Sequence, residues 1–101
     1  MQATCIRVPV FNGHSMSVSI ATAERVTVEE ISTLLANSFG IRIQEYPTPI
    51  EACGLDEILV GRIRPNTGVV NGISLWITAD NLRVGAALNA VRIAMKIYEE
   101  N

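Results

Sequence analysis

The spacing of apolar and polar positions changes several times along this chain, and the changes divide it into short elements. Over residues 3–10, Cys5, Arg7 and Pro9 alternate with Ile6, Val8 and Val10, which predicts a strand. Arg7 then points away from the face carrying Ile6 and Val8. Pro9 suits a strand end or an edge, because it has no N–H to give a ladder. The Asn12-Gly13 pair reads as a turn. Residues 15–22 predict a second strand, with Met16, Val18 and Ile20 on one face and Ser15, Ser17 and Ser19 on the other. Three serines on one face are expected to be wet or to meet a polar interface. Thr27-Val28-Glu29-Glu30 has the form of a capping box. Val28, Ile31, Leu34 and Leu35 follow at helical spacing, and Gly40 supplies a stop, giving an amphipathic helix of about a dozen residues.

Ile41 to Gln44 predicts a short strand. The Tyr46-Pro47-Thr48-Pro49 stretch reads as irregular, since each proline restricts the residue before it. Ile58–Arg64 and Ile73–Ala79 predict two further strands, joined through Pro65, Asn66, Gly68, Asn71 and Gly72. On the last strand Ile73, Leu75 and Ile77 share one face, and Ser74, Trp76 and Thr78 the other. Arg62 and Arg64 are expected on one face of their strand. Asp80-Asn81 opens the longest helix, about Leu82 to Tyr98. Its polar residues Asn89, Arg92, Lys96 and Glu99 make one narrow stripe, so the helix expects cover on most sides. The sum is an α+β domain: a mostly antiparallel sheet with packed helices, one unit over residues 1–101.

Composition narrows the function classes. A chain of 101 residues buries roughly 65% of its unfolded surface, enough for a modest core. Yet 49% of its residues are hydrophobic, an excess that hints at a surface meant for a partner. The net charge of −2, with no basic stripe, argues against nucleic acid. No apolar run reaches the ~18 residues of a membrane span, and the N-terminus lacks the layout of a secretory signal. Cys5 and Cys53 are expected to be free thiols in a reducing cytosol, Cys5 a buried and inert one. One histidine is too few for a zinc site.

The candidate chemistry lies around the first turn. Arg7 is a permanent cation with a forked donor face. His14, the chain's one histidine, carries an imidazole that can give or take a proton. Held at one end of a sheet, the two could grip an anionic substrate while moving a proton. Taken singly, each has a plainer reading. Arg7 would be a solvated strand arginine, and His14 a surface or hydrogen-bonding group. Trp76 reads as packing, and Arg62 and Arg64 as a solvated or interface face.

Three segments resemble one family. ATCIRVPVFNGHS (Ala3–Ser15) is similar to the ATCVRVPVxxGHS of aspartate-semialdehyde dehydrogenases. Val60–Arg64 matches their VGRIR. LWITADNLRVGAALNAV (Leu75–Val91) is similar to their LWxxxDNLRKGAALNAV. The order is the same, and the resemblance spans nearly all of this chain but only about the last third of a family member.

The resemblance implies a domain like the C-terminal one of glyceraldehyde-3-phosphate dehydrogenase. It also implies an activity: NADPH-dependent reductive dephosphorylation of aspartyl phosphate to aspartate semialdehyde, on the route to lysine, threonine and methionine. His14 would be the acid/base group working with a cysteine thiol, and Arg7 would bind the substrate carboxylate. Asn81 would set its amide against the nicotinamide of NADP, although an N-cap explains that residue equally well. The nucleophilic cysteine and the Gly-rich dinucleotide turn are expected upstream, outside this chain. The chain is therefore read as a C-terminal dimerisation and substrate portion, cytoplasmic and self-associating as a homodimer or higher oligomer. Alone it should be inactive and hold no cofactor. Three positions depart from the family pattern: Met16 stands for a glutamate, Val84 for a lysine and Arg92 for a glutamine. Met16 keeps open the alternative of a non-catalytic dimerisation module.

Overall fold

A computed structural model describes residues 2–100. Four strands form one sheet: β1 (His14–Ala21), β2 (Ile41–Ile43), β3 (Ile58–Asn66) and β4 (Gly72–Ala79), in the order β1-β4-β3-β2. β4 pairs antiparallel with both β1 and β3, while β2 runs parallel to β3. The expected α+β class with a mostly antiparallel sheet is what the chain adopts.

The crossover from β1 to β2 carries α1 (Val28–Ala36). The Thr27–Glu30 capping box is closed from both sides. The Glu30 N–H donates to Thr27 Oγ1 at 3.2 Å, and the Thr27 N–H donates to Glu30 Oε2 at 2.7 Å. α1 ends sooner than its periodicity suggests, because Asn37 caps it before Gly40 turns the chain at φ +77°.

A second capping box lies in the stretch expected to be irregular. Thr48 caps the four-residue α2 (Pro49–Ala52), with Pro49 in its first turn and Glu51 reaching back to the Thr48 N–H. Threonine, proline and a glutamate three residues on are a helix-start signature. The restriction that proline places on its predecessor describes Thr48 correctly, as an extended cap.

The core sits where β3 and β4 cross the sheet centre: Leu59, Val60, Ile73 and Leu75 are buried, with Ala52 from α2 and Val84 beyond β4. The cross-strand register sets Ile20, Val18 and Met16 opposite Ile73, Leu75 and Ile77. The serines of β1 face Ser74, Trp76 and Thr78. Two of them are bonded: Ser15 Oγ donates to Thr78 Oγ1, and Ser19 Oγ accepts from Asn66 Nδ2. Trp76 is half-buried, its indole N–H donating to Pro47 O at 3.2 Å.

Four expectations need correcting. Residues 3–10 enter no ladder; Val10 N–H bonds back to Val8 O, and Ile6, Val8 and Phe11 are exposed. Period-2 alternation gives a strand its faces but not a neighbour to pair with. Cys5 is consequently exposed rather than buried; Cys53 is exposed too, and both are free.

Arg62 and Arg64 do not share a face. Gly61 pairs with Trp76 and Arg64 with Ser74, so one extra residue is bulged into β3. Arg62 carries the bulge at φ 53° and lies over the Tyr46 ring.

The long helix is not uniform. It begins as a wide π-helical turn (Arg83–Ala87) and becomes α3 at Leu88–Glu100. None of the α3 residues is buried. Its lateral anchor is Arg92, whose guanidinium donates to Asp56 O at 2.8 Å and covers the Phe39 ring.

Candidate functional site

His14 opens β1, and its ladder partner Ala79 closes β4. Strand pairing ends at this pair, where a ladder would fray. Side chains continue the connection beyond it. The two residues before His14 are held by the two residues after Ala79. The Gly13 N–H donates to Asn81 Oδ1 at 2.7 Å, and Asn12 Nδ2 donates to Asp80 Oδ2 at 3.3 Å. Inside the ladder, the Thr78 hydroxyl donates to the His14 carbonyl at 3.0 Å.

Glycine is required at position 13. Its φ is +100°, and a Cβ there would meet Pro49 Cβ at 3.3 Å and Ala79 O at 3.4 Å. The turn before His14 is therefore wedged between α2 and the end of β4.

Asp80 is the centre of this arrangement and is almost fully buried, 3% exposed. Its two oxygens have different tasks. Oδ1 accepts the Leu82 and Arg83 N–H groups, capping the π-helical turn. Oδ2 accepts the Gly54 N–H at 2.8 Å and the Asn12 amide. The Gly54 N–H holds the Asp80 carboxyl below the usual aspartate range, helped by the Leu82 and Arg83 N–H groups and the Arg83 charge; burial opposes them. The Asn12 orientation follows, since a carboxylate can only accept. Its own Oδ1 is buried without a bond.

A family profile described as "Semialdehyde dehydrogenase, dimerisation domain" matches residues 1–84. The chain belongs to that family. It is 45% identical to an aspartate-semialdehyde dehydrogenase of Aquifex aeolicus (strain VF5), over 99% of this chain and 31% of the relative. It is also 45% identical to one from Mycolicibacterium smegmatis, over 93% of this chain and 28% of the relative. Among solved structures, aspartate semialdehyde dehydrogenase II of Vibrio cholerae, complexed with ASA, superimposes with a TM-score of 0.89. That match has 41% identity and covers 95% of this chain and 30% of the other. The chain thus spans about a third of the length of the relatives it matches.

Within this semialdehyde dehydrogenase domain, two of the recognised motifs meet in space. The NGHS turn and the DNLR segment touch through Gly13 and Asn81. His14 is exposed at their junction, and Met16 follows it on the same face of β1, 55% exposed. Asn81 uses its carbonyl oxygen on Gly13, which leaves the Nδ2 hydrogens without a partner among the described residues. Arg7 is not brought into this cluster by any hydrogen bond. It lies exposed on the unpaired N-terminal arm, with no ion pair among the described residues.

Cys53, beside Gly54, comes close to the same loop, its Sγ 3.7 Å from Asn12 O. Sequence reasoning missed the roles of Asn12, Gly54 and Asp80. Asp80 could be read as a helix start, but its second oxygen reaches residues 26 and 68 positions away, which no local pattern encodes.

Proposed function

We propose that this chain is the C-terminal substrate and dimerisation portion of an aspartate-semialdehyde dehydrogenase, with His14 as its acid/base group. One observation supports this most: the NGHS turn and the DNLR segment, matched separately in sequence, are joined at the exposed face of His14 by the Gly13–Asn81 bond. A neutral imidazole there can take the proton of a thiol, and the imidazolium can return one. The thiolate would be supplied by a cysteine outside these residues. It attacks the acyl phosphate carbon of aspartyl phosphate and releases phosphate.

Arg7 receives the substrate's free carboxylate in its guanidinium fork. Its exposed place on the arm leaves that fork open. NADPH, when bound, supplies the reducing equivalent that takes the acyl group to the aldehyde. Asn81 fits a role beside it: with Oδ1 bonded to Gly13, both Nδ2 donors remain open, and a donor suits a carboxamide oxygen. These residues hold no Gly-rich turn for the cofactor's phosphates, so the chain alone binds NADP weakly and turns nothing over. Its setting is cytoplasmic synthesis of lysine, threonine and methionine. Self-association follows from the family's dimerisation role, and the bare apolar surface of α3 adds to it in the isolated chain.

A chimaera tests the reading. These 101 residues replace the matching third of the Vibrio cholerae enzyme, and NADPH-dependent reduction of aspartyl phosphate is assayed. Activity is expected. His14→Ala should abolish it, and Arg7→Lys should raise the substrate KM more than the cofactor KM. A folded, dimeric chimaera without turnover would favour the non-catalytic dimerisation module, the reading that Met16 beside His14 suggests.

A further inference from the structure

We propose that Asp80 is the positioning residue of the His14 site, acting through the Asn12 side chain. The inference rests on the proposed role of His14. The β1–β4 ladder stops at His14 and Ala79, so backbone pairing alone leaves His14 at a fraying strand end. Asp80 lies just past that end, buried, and divides its carboxylate. Oδ1 takes the two N–H groups of the helix start; Oδ2 takes Asn12 and Gly54. A residue needed only as a helix cap would use one acceptor. The second oxygen instead ties three segments together at the His14 turn: residues 12–13, the turn after α2, and the end of β4. The buried Oδ1 of Asn12 is left without a bond, a cost that makes sense only if the amide is there to reach Asp80. Asn81 completes the clamp from the next position by taking the Gly13 N–H.

The two tasks of the carboxylate can be separated. Asp80→Asn keeps an acceptor for the Leu82 and Arg83 N–H groups. On the other side it sets an amide nitrogen against two donors, the Asn12 amide and the Gly54 N–H. The cap survives and the tie is broken. Asn12→Ala breaks the tie without touching the cap. The double variant Asn12→Asp with Asp80→Asn exchanges donor and acceptor between the two positions, and should restore their bond.

The test uses this chain itself and reads amide exchange and the ring signals of its one histidine by NMR. Asp80→Asn should speed exchange at Gly13 and Gly54 roughly tenfold or more and broaden the His14 ring signals. Protection along β4 and α3 should stay unchanged. Asn12→Ala should reproduce the effect at Gly13 and His14, and the exchanged pair should reverse it there. Two results would overturn the proposal: Gly13 and His14 unmoved in both single variants, or loosening that always accompanies loss of the helix and is not reversed by the exchange. None of these readouts needs turnover, so an inactive chimaera would count against the role of His14 while leaving the positioning by Asp80 to stand or fall separately.

Discussion

The turn before His14 and the helix after Asn81 adjoin in space and are closed in opposite ways. At the turn, a buried carboxylate and two side-chain amides bond one another and several backbone N–H groups within the chain, leaving one buried oxygen, Asn12 Oδ1, over. Along α3 no residue is buried, and Val91, Ile93 and Met95 are each more than half exposed. Directional bonds close a polar site locally, because each donor needs only one acceptor. An apolar helix closes only against a surface, and α3 stays mostly open, with Leu88 and Arg92 its half-buried residues. The polar turn before His14 is therefore closed within this domain, while the stability of the element beside it depends on what packs there.

The largest effect should come from the uncovered side. Val91→Glu and Met95→Glu, one turn apart on the same face of α3, together remove two aliphatic contacts, about 3 kcal/mol of burial if a second copy covers them. Sedimentation of the unaltered chain should give a species above its 11.0 kDa monomer mass, and the double variant should shift it toward monomer without loss of sheet. Association that survives the variant would place the contact on the sheet instead.

On the closed side, Gly13→Ala should cost about 2 kcal/mol. It forces a side chain into a backbone at φ +100° against Pro49. Denaturant melts give the cost, and the His14 ring signals should move with it. An unchanged midpoint would mean that the turn is not wedged.

Acid should act on the closed side as well. The Asp80 carboxyl is lowered chiefly by the Gly54 N–H, and those of Glu30 and Glu51 by their threonine caps. Groups depressed in the folded state bind more protons when unfolded. Their stabilisation is present above the ordinary carboxylate range, about pH 4, and is lost as pH falls through the lowered values. Melting temperature should thus hold between pH 7 and 5 and drop below about 4. Asp80→Asn should flatten part of that drop.

Much of the sheet was legible because its strands alternate cleanly. Ile73, Leu75 and Ile77 pattern the inner face of β4, and its antiparallel partner β1 carries the same rhythm. The N-terminal arm shows the limit: Ile6, Val8 and Val10 alternate just as well, yet no strand lies beside them. The bulge at Arg62 was hidden for a related reason. A single inserted residue leaves composition unchanged while flipping every later side chain to the other face. At the candidate site, the NGHS and DNLR motifs could be read one by one. The bonds that join their segments run between positions 68 apart, so they belong to the fold rather than to any window of sequence.

The smallest effect separates the two capping boxes, and it sharpens the contrast at the scale of one turn. Thr27 caps α1 and Thr48 caps α2, with the same reciprocal bonds to a glutamate three residues on. By helix energetics alone Thr27→Ala and Thr48→Ala should each cost about 1 kcal/mol. Their surroundings differ. α1 crosses over from β1 to β2, whereas α2 presents Pro49 to Gly13 and leads into Gly54, which donates to Asp80. Thr48→Ala should therefore also loosen Gly54 and the His14 turn, read as faster amide exchange at both. Thr27→Ala should leave those amides unchanged at the same loss of stability. Equal exchange in the two variants would mean that α2 is no more than a connection between strands, and that the His14 turn is held from the β4 end alone.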